Sequence, residues 1–499
     1  MNKIEKLKAA KNGLDTLEDI YRYARLGFAS IPEEEYDLLK WYGLFHRRQT
    51  PGYFMMRLRI SNGILSTTQL RTIAGISRDF GRGVGDITSR QNIQLRWIEI
   101  EHVPEIFERL HSVGMTSQQT GMDNFRNVTG CPMAGLHCDE LLDASPLVQA
   151  TALALLGREF SNLPRKFNIS INGCRHDCAE AQGNDIGMTP ATLQVNGRTI
   201  VGFNVFVGGA LGGKTPVFAE PLDVFVRPEQ VIALCRAILT VFRDHGRRES
   251  RNEARLKWLL TEWGLPRFRA EVERVFGQPL HPAGKNELLT YGGDHIGIQP
   301  QRQPGLCTVG LLVPVGRITA DQLLALADLA DTYGAREVRL TLNQNVLIPH
   351  IPSECLPRLM AEPLLQEWSP CPSAIMRGLT TCTGKDYCHF ALNDTKGYAL
   401  MIGRELEKRL VTNGHAIHLN VSGCIHACGR HRARDFGLMA TRVRQGQNIV
   451  DGFEVFSGGQ LGEAAKIAEL AYSDVTVDRV VEVLAQEIAA QHGLEIRNS

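Results

Sequence analysis

The 499-residue chain contains no apolar run approaching the roughly 20 residues that a bilayer-spanning helix needs. It also lacks a charge excess of either sign, with 55 Lys and Arg against 54 Asp and Glu. That balance argues against a broad nucleic-acid-binding face, while leaving room for a local basic cavity. No GxGxxG opens a Rossmann unit, and no flavin or nicotinamide module is evident. GGALGG, ending at Gly213, and GGQLGE, ending at Glu463, follow an internal repeat instead. The start, MNKIEKLKAAKNG, has basic residues but neither an apolar core, a small-residue cleavage site nor the Arg and Ser bias of a transit peptide. The expectation is a cytoplasmic protein whose twelve cysteines are metal ligands or buried thiols and not disulfides.

What is present is an ordinary globular composition, 43% hydrophobic and 22% charged, in a chain long enough for about two to four domains. It repeats itself. GFNVFVGGALGG from Gly202 returns as GFEVFSGGQLGE from Gly452, an offset of 250. The same offset links GCRHDC, with Cys174 and Cys178, to GCIHAC, with Cys424 and Cys428. It also links DIGM, ending at Met188, to DFGL, ending at Leu438. A weaker echo joins TSRQNIQLRWI, ending at Ile98, to TLNQNVLIPHI, ending at Ile351. An ordered set of matches makes the two halves copies of one module.

Alternation supplies the strands. Phe54, Met56, Leu58 and Ile60 face opposite to Met55, Arg57 and Arg59. Between Arg90 and Trp97, the residues Ile93, Leu95 and Trp97 face one way and Arg90, Asn92, Gln94 and Arg96 the other. Phe167, Ile169 and Ile171 alternate with Lys166, Asn168 and Ser170 and lead into Cys174; Ile417, Leu419 and Val421 lead into Cys424. Helices are expected over Pro104–His111, Ser145–Glu159 and Glu405–Leu410. The class is α+β, or mixed α/β, with strands delivering motifs at their ends. A Gly-, Pro- and Gln-rich stretch from Pro279 to Gln303 separates the halves.

The second half carries Cys382-x5-Cys388 and then Cys424-x3-Cys428. Four thiolates on two short loops are the ligand set of an Fe4S4 cluster. Zinc knuckles use tighter spacings of about two to four residues, so the wider gap fits zinc less well. Four unrelated buried thiols is the plainest alternative.

CTGKDYC followed by NVSGCIHACG resembles the signature of the sirohaem- and Fe4S4-containing nitrite and sulfite reductases. The similarity runs from about Trp41 to Leu461 and includes WYGLFHRR, YFMMRLR, GMDNFRNV and NLPRKFN, runs most like those of ferredoxin-dependent nitrite reductases. One departure is His426, where many relatives have Asn. The resemblance implies one [4Fe-4S] cluster on Cys382, Cys388, Cys424 and Cys428, with Cys428 bridging to sirohaem iron. Sirohaem carries many carboxylates, and Arg90, Gln94 and Arg96 match the strand that holds it. Arg57, Arg126, Lys166 and Asn168 match the positions that bind the substrate anion. Asn168 stands where sulfite reductases of the family usually have a second Lys, which favours nitrite, a monoanion, over sulfite.

The implied architecture has three domains with pseudo-twofold symmetry. Its segments are a helical lead (1–45), ferredoxin-like half-domains (46–115 and 300–368), a sirohaem-associated module (120–278) and a cluster module (371–499). The first half repeats the cysteine pattern as Cys131-x6-Cys138 and Cys174-x3-Cys178. There the x6 spacing and missing CTGKDYC context favour a relic of duplication over a second cluster. Cys235, Cys307, Cys355 and Cys371 show no ligand spacing, and Cys235 falls on a helical apolar face. The expected activity is six-electron reduction of nitrite to ammonia, with electrons from reduced ferredoxin or a similar external donor. The alternatives are sulfite reduction, a cobalamin-pathway oxygenase and a non-catalytic iron–sulfur protein.

Overall fold

The computed structural model describes residues 2–497 apart from positions 413 and 415; the outermost residues of the first and last expected segments lie outside that range. Three large hydrophobic cores and one small cluster around Cys131 organise these residues. One core joins the N-terminal helices to both half-domains, running from Ile4 to Met122 and again from Val309 to Trp368. The other two fill the repeated modules, around Phe167 and Phe203 in the first and around Leu419 and Phe453 in the second. The fold is mixed α+β, as expected.

The half-domains exchange edge strands. Arg317–Thr319 from the second half pairs antiparallel with Val84–Ile87 of the first, and Ile64–Ser66 from the first pairs with Glu337–Leu340 of the second. Each exchanged strand runs into a helix opened by a capping box, Ser66 with Gln69 and Thr319 with Gln322. The echo between the half-domains is functional at the level of hydrogen bonds. Gln91 donates to the Leu340 carbonyl and accepts from Gly130 N–H; Gln344 donates to Ile87 and accepts from Thr381 N–H. Each glutamine therefore pins the residue just before a cysteine, Cys131 or Cys382, to the opposite half.

Each module is one sheet whose first three strands are parallel: Phe125–Thr129, Phe167–Ile171 and Ile186–Val195 in the first, Leu379–Thr381, Leu419–Ser422 and Phe436–Gln445 in the second. The third strand turns back through a two-residue hairpin, Asn196-Gly197 or Gly446-Gln447. Asn196 and Gly197 both take positive φ, the geometry that matches strand twist. All four cysteine loops leave the carboxyl ends of parallel strands, where open sheets place their ligand sites. The repeated glycine of DIGM and DFGL has a steric cause. A Cβ on Gly187 would strike the Ala181 carbonyl, and one on Gly437 the His431 carbonyl, so each returning Cys-x3-Cys loop needs a bare backbone beneath it.

Three sequence expectations change. The first long helix stops at Ala154, because Gly157 takes φ 120° and a short 3-10 turn, Arg158–Phe160, follows. The helix expected at Glu405 starts earlier, at Thr395 under an Asp394 cap, and Leu410 already belongs to a strand. Trp97 does not share a face with Ile93 and Leu95. Phe54 pairs with Ile98 and Met56 with Leu95, so Arg96 and Trp97 together oppose Met55 in a β-bulge, with Trp97 at φ 59°. Arg96 stays fully buried while the Trp97 ring turns out against Tyr53 and Tyr387.

Candidate functional site

Cys382 follows Leu379–Thr381, and Cys424 follows Leu419–Ser422, so adjacent parallel strands bring the two cysteine loops together. Burial, with the Cys428 sulfur adding to it, raises Cys382 and Cys388, and burial with the three other sulfurs pushes Cys424 up to about 12. No three of the four sulfurs lie within 4.8 Å of each other, so they are not drawn together as around a single ion. Gly423 N–H donates to Cys382 Sγ at 3.1 Å, and Thr395 Oγ1 lies 3.6 Å from it. Such donors stabilise a thiolate that ligates iron. The donor set fits an Fe4S4 cluster.

Cations converge beside Cys428. Arg57 lies on Tyr53–Arg57 directly across from Gln94, whose amide oxygen, turned toward it, accepts from Nε and Nη2 at 3.1 and 2.9 Å. Arg57 and Arg126 both donate to the Thr120 carbonyl, at 3.1 and 2.7 Å. Arg126 makes its other bonds to the Met122 carbonyl, so neither guanidinium has a carboxylate partner. Lys166 stands at the head of Phe167–Ile171, with half-buried Asn168 two residues on. Burial pushes the Lys166 ammonium down to about 7, Arg255, Arg126 and Arg165 adding to it while the Cys428 sulfur acts in the opposite sense. Arg57 is pushed down to about 10 by burial, again with Cys428 opposing. The shared influence of one sulfur sets Arg57 and Lys166 around Cys428.

The expected cofactor strand splits into two roles. Arg90 is half-buried, donating to Asn184 Oδ1 and, at 3.4 Å, to the Gly183 carbonyl; no carboxylate pairs with it. Arg96 instead braces the cluster loop: its Nη2 meets Asp86 and Thr383 Oγ1, and its guanidinium lies 3.7 Å over the Tyr387 ring. Burial alone would raise the Asp86 carboxyl, but Arg96, Lys396 and Arg317 outweigh it and hold it low. Several buried donors here have no partner: Arg96 Nε and Nη1, Arg317 Nη2 and Arg430 Nε. Orphaned guanidinium nitrogens are costly unless something anionic meets them. Arg96, Arg317 and Arg430 each already hold a carboxylate, so what remains for a macrocycle rimmed with carboxylates is their unpartnered N–H groups and the unpaired charge of Arg90.

Sequence reading missed the residues that lock the modules. Glu180 of the first module reaches Arg430 and Arg434 of the second, the latter at 2.6 Å, with all three side chains at most 10% exposed. Glu180 and Arg430 are 250 positions apart, the repeat offset itself, so opposite charges at equivalent positions meet across the pseudo-twofold. The offset could have exposed this pairing. Glu180→Ala leaves two buried cations unpaired and is expected to cost about 3–5 kcal/mol, read as a lower midpoint in denaturant unfolding.

The first-half cysteines behave differently from the second. Cys131, Cys174 and Cys178 are buried with their sulfurs within 4.8 Å of one another, whereas Cys138 is exposed and faces the Pro300 carbonyl at 3.6 Å. The four do not gather as one cluster's ligand set. Cys235 is fully buried in the first module's core, and Cys371 is exposed.

The chain matches two family descriptions. "Nitrite and sulphite reductase 4Fe-4S domain" covers residues 121–280 and 373–495, and "Nitrite/Sulfite reductase ferredoxin-like half domain" covers 46–113 and 299–365. It is 44% identical to a ferredoxin–nitrite reductase of Synechococcus elongatus over 100% of this chain and 98% of that protein. It is 38% identical to an assimilatory ferredoxin-dependent nitrite reductase of Haloferax mediterranei, covering 98% and 89%. Among solved structures, the Mycobacterium tuberculosis NirA protein superposes with a TM-score of 0.91 at 32% identity, covering 97% of this chain and 92% of that one.

Proposed function

Because this chain belongs to the nitrite and sulphite reductase family, we propose that it reduces nitrite to ammonia, taking six electrons one at a time from reduced ferredoxin. The proposed residues are Cys382, Cys388, Cys424 and Cys428 for the cluster, Arg90, Gln94 and Arg96 for the sirohaem side, and Arg57, Arg126, Lys166 and Asn168 for the anion. When bound, the cluster and sirohaem store and deliver the electrons and offer iron to the substrate. Everything else falls to the protein's own side chains.

The observation that carries the reading is the set of cations without carboxylates beside the Cys428 sulfur. Arg57 and Arg126 are fixed by the Thr120 carbonyl, so their charge is in place before an anion arrives. They attract nitrite and stabilise negative charge on its oxygens as N–O bonds break. Lys166 is suited to hand over protons: an ammonium titrating near neutrality is the better-matched acid at that pH. Asn168 adds a polar contact without another charge, which suits a monoanion. The test is the visible spectrum of the purified protein. Haem-type bands that shift on adding nitrite are expected; a protein purified with a full iron–sulfur signal and no haem absorption would overturn the proposal.

A further inference from the structure

We propose that the cysteines of the first half hold a single zinc ion, ligated by Cys131, Cys174, Cys178 and Nε2 of His295. Both copies of the module send their cysteine loops from the same strand ends, yet the sulfurs are set at different spacings. In the first copy Cys174 and Cys178 stand 3.8 Å apart, and all three sulfurs fall within 4.8 Å. Bonds of about 2.3 Å to a tetrahedral ion place sulfurs ~3.8 Å apart. A four-iron cube puts a separate iron under each thiolate and needs a wider spacing; no three second-half sulfurs lie within 4.8 Å of one another.

The fourth ligand comes from the segment between the halves. Leu289 N–H donates to the Arg175 carbonyl and Gly292 N–H to the His176 carbonyl, each at 2.7 Å, laying that segment along the cysteine loop. Buried His295 then sets Nε2 3.9 Å from Cys131 Sγ; it stands more than 4.8 Å from the Cys174 and Cys178 sulfurs, so its ring has to close toward them to complete the ligand set. Its Nδ1 lies 3.4 Å from Gln299 Oε1, an outer hydrogen bond of the kind that leaves Nε2 free to ligate. Gly293 runs between the two, a Cβ there lying in ordinary contact at 3.4 Å from Cys178 Sγ and 3.5 Å from His295 Nε2. His137 and His176 also approach Cys174. They are less enclosed, and His176 uses both nitrogens on Thr290 and Asp139.

The plainer reading makes the thiols small apolar fillers beside Met133, Leu136 and Leu347. It gives no reason for a buried imidazole directed at a sulfur and oriented by an amide. Four protein ligands leave no open position, so the ion is structural. It would fasten the first module to the segment that leads into the second half-domain.

Metal analysis of the purified enzyme, expressed with added zinc, tests this without any variant. The expected content is about one zinc per chain beside about five irons, four in one cluster and one in the haem. About nine irons without zinc would replace the proposal with a second cluster, and five irons without zinc would leave only buried thiols. Cys174→Ser and His295→Ala are expected to lose zinc at least ~10-fold while the cluster absorbance persists; Cys138→Ser should retain it. Zinc bound equally by all three variants would mark adventitious binding and overturn the assignment.

Discussion

Cys424→Ser is expected to abolish nitrite reduction and remove about four irons per chain, while Cys371→Ser leaves both unchanged. The two thiols differ in setting, not in chemistry. Cys424 is raised to about 12 by burial and by the three other sulfurs of the quartet; bound metal would offset the cost of the thiolate there. Cys371 is exposed and has no such neighbours. Iron counts and turnover of the two purified variants check the prediction together. Cluster iron retained by Cys424→Ser would remove this thiol from the ligand set.

Lys166→Met is expected to lower kcat/KM for nitrite by ~10^2–10^4, the range for loss of a positioned acid, with cluster absorbance intact. It should also flatten the pH profile. Burial holds Lys166 down at about 7 in the protein alone, and bound anions raise it from there. The ammonium is the form present below that value. Wild-type kcat/KM for nitrite should therefore be highest at low pH and fall as pH rises through the Lys166 value, and Lys166→Met should lose that inflection. An unchanged inflection in the variant would assign it to another group.

Much of this arrangement could be read from the residues, because duplication writes the same constraint twice. The cysteine spacings, the glycines of DIGM and DFGL, and the alternation leading into Cys174 and Cys424 are local and obligatory. The exchange of Ile64–Ser66 for Arg317–Thr319 is not local: three-residue strands carry no record of their partner. The bulge at Trp97 hid for a related reason, since one extra residue reverses the faces of all that follow. His295 gave no signal at all. A lone histidine in a Gly-rich connector acquires meaning only when the backbone hydrogen bonds of Leu289 and Gly292 lay it against Cys131. Arg96 was legible as a cation on the polar strand face but not as the brace of the Thr383–Tyr387 loop, which depends on contact across 287 positions.

On the proposed function, the cations around Cys428 serve a monoanion that becomes ammonia. The most direct measurement supplies reduced ferredoxin with nitrite or sulfite at equal concentration and follows turnover and products. Faster turnover is expected with nitrite, with ammonia formed at six electrons consumed per nitrite. Faster turnover with sulfite, releasing sulfide, would contradict it.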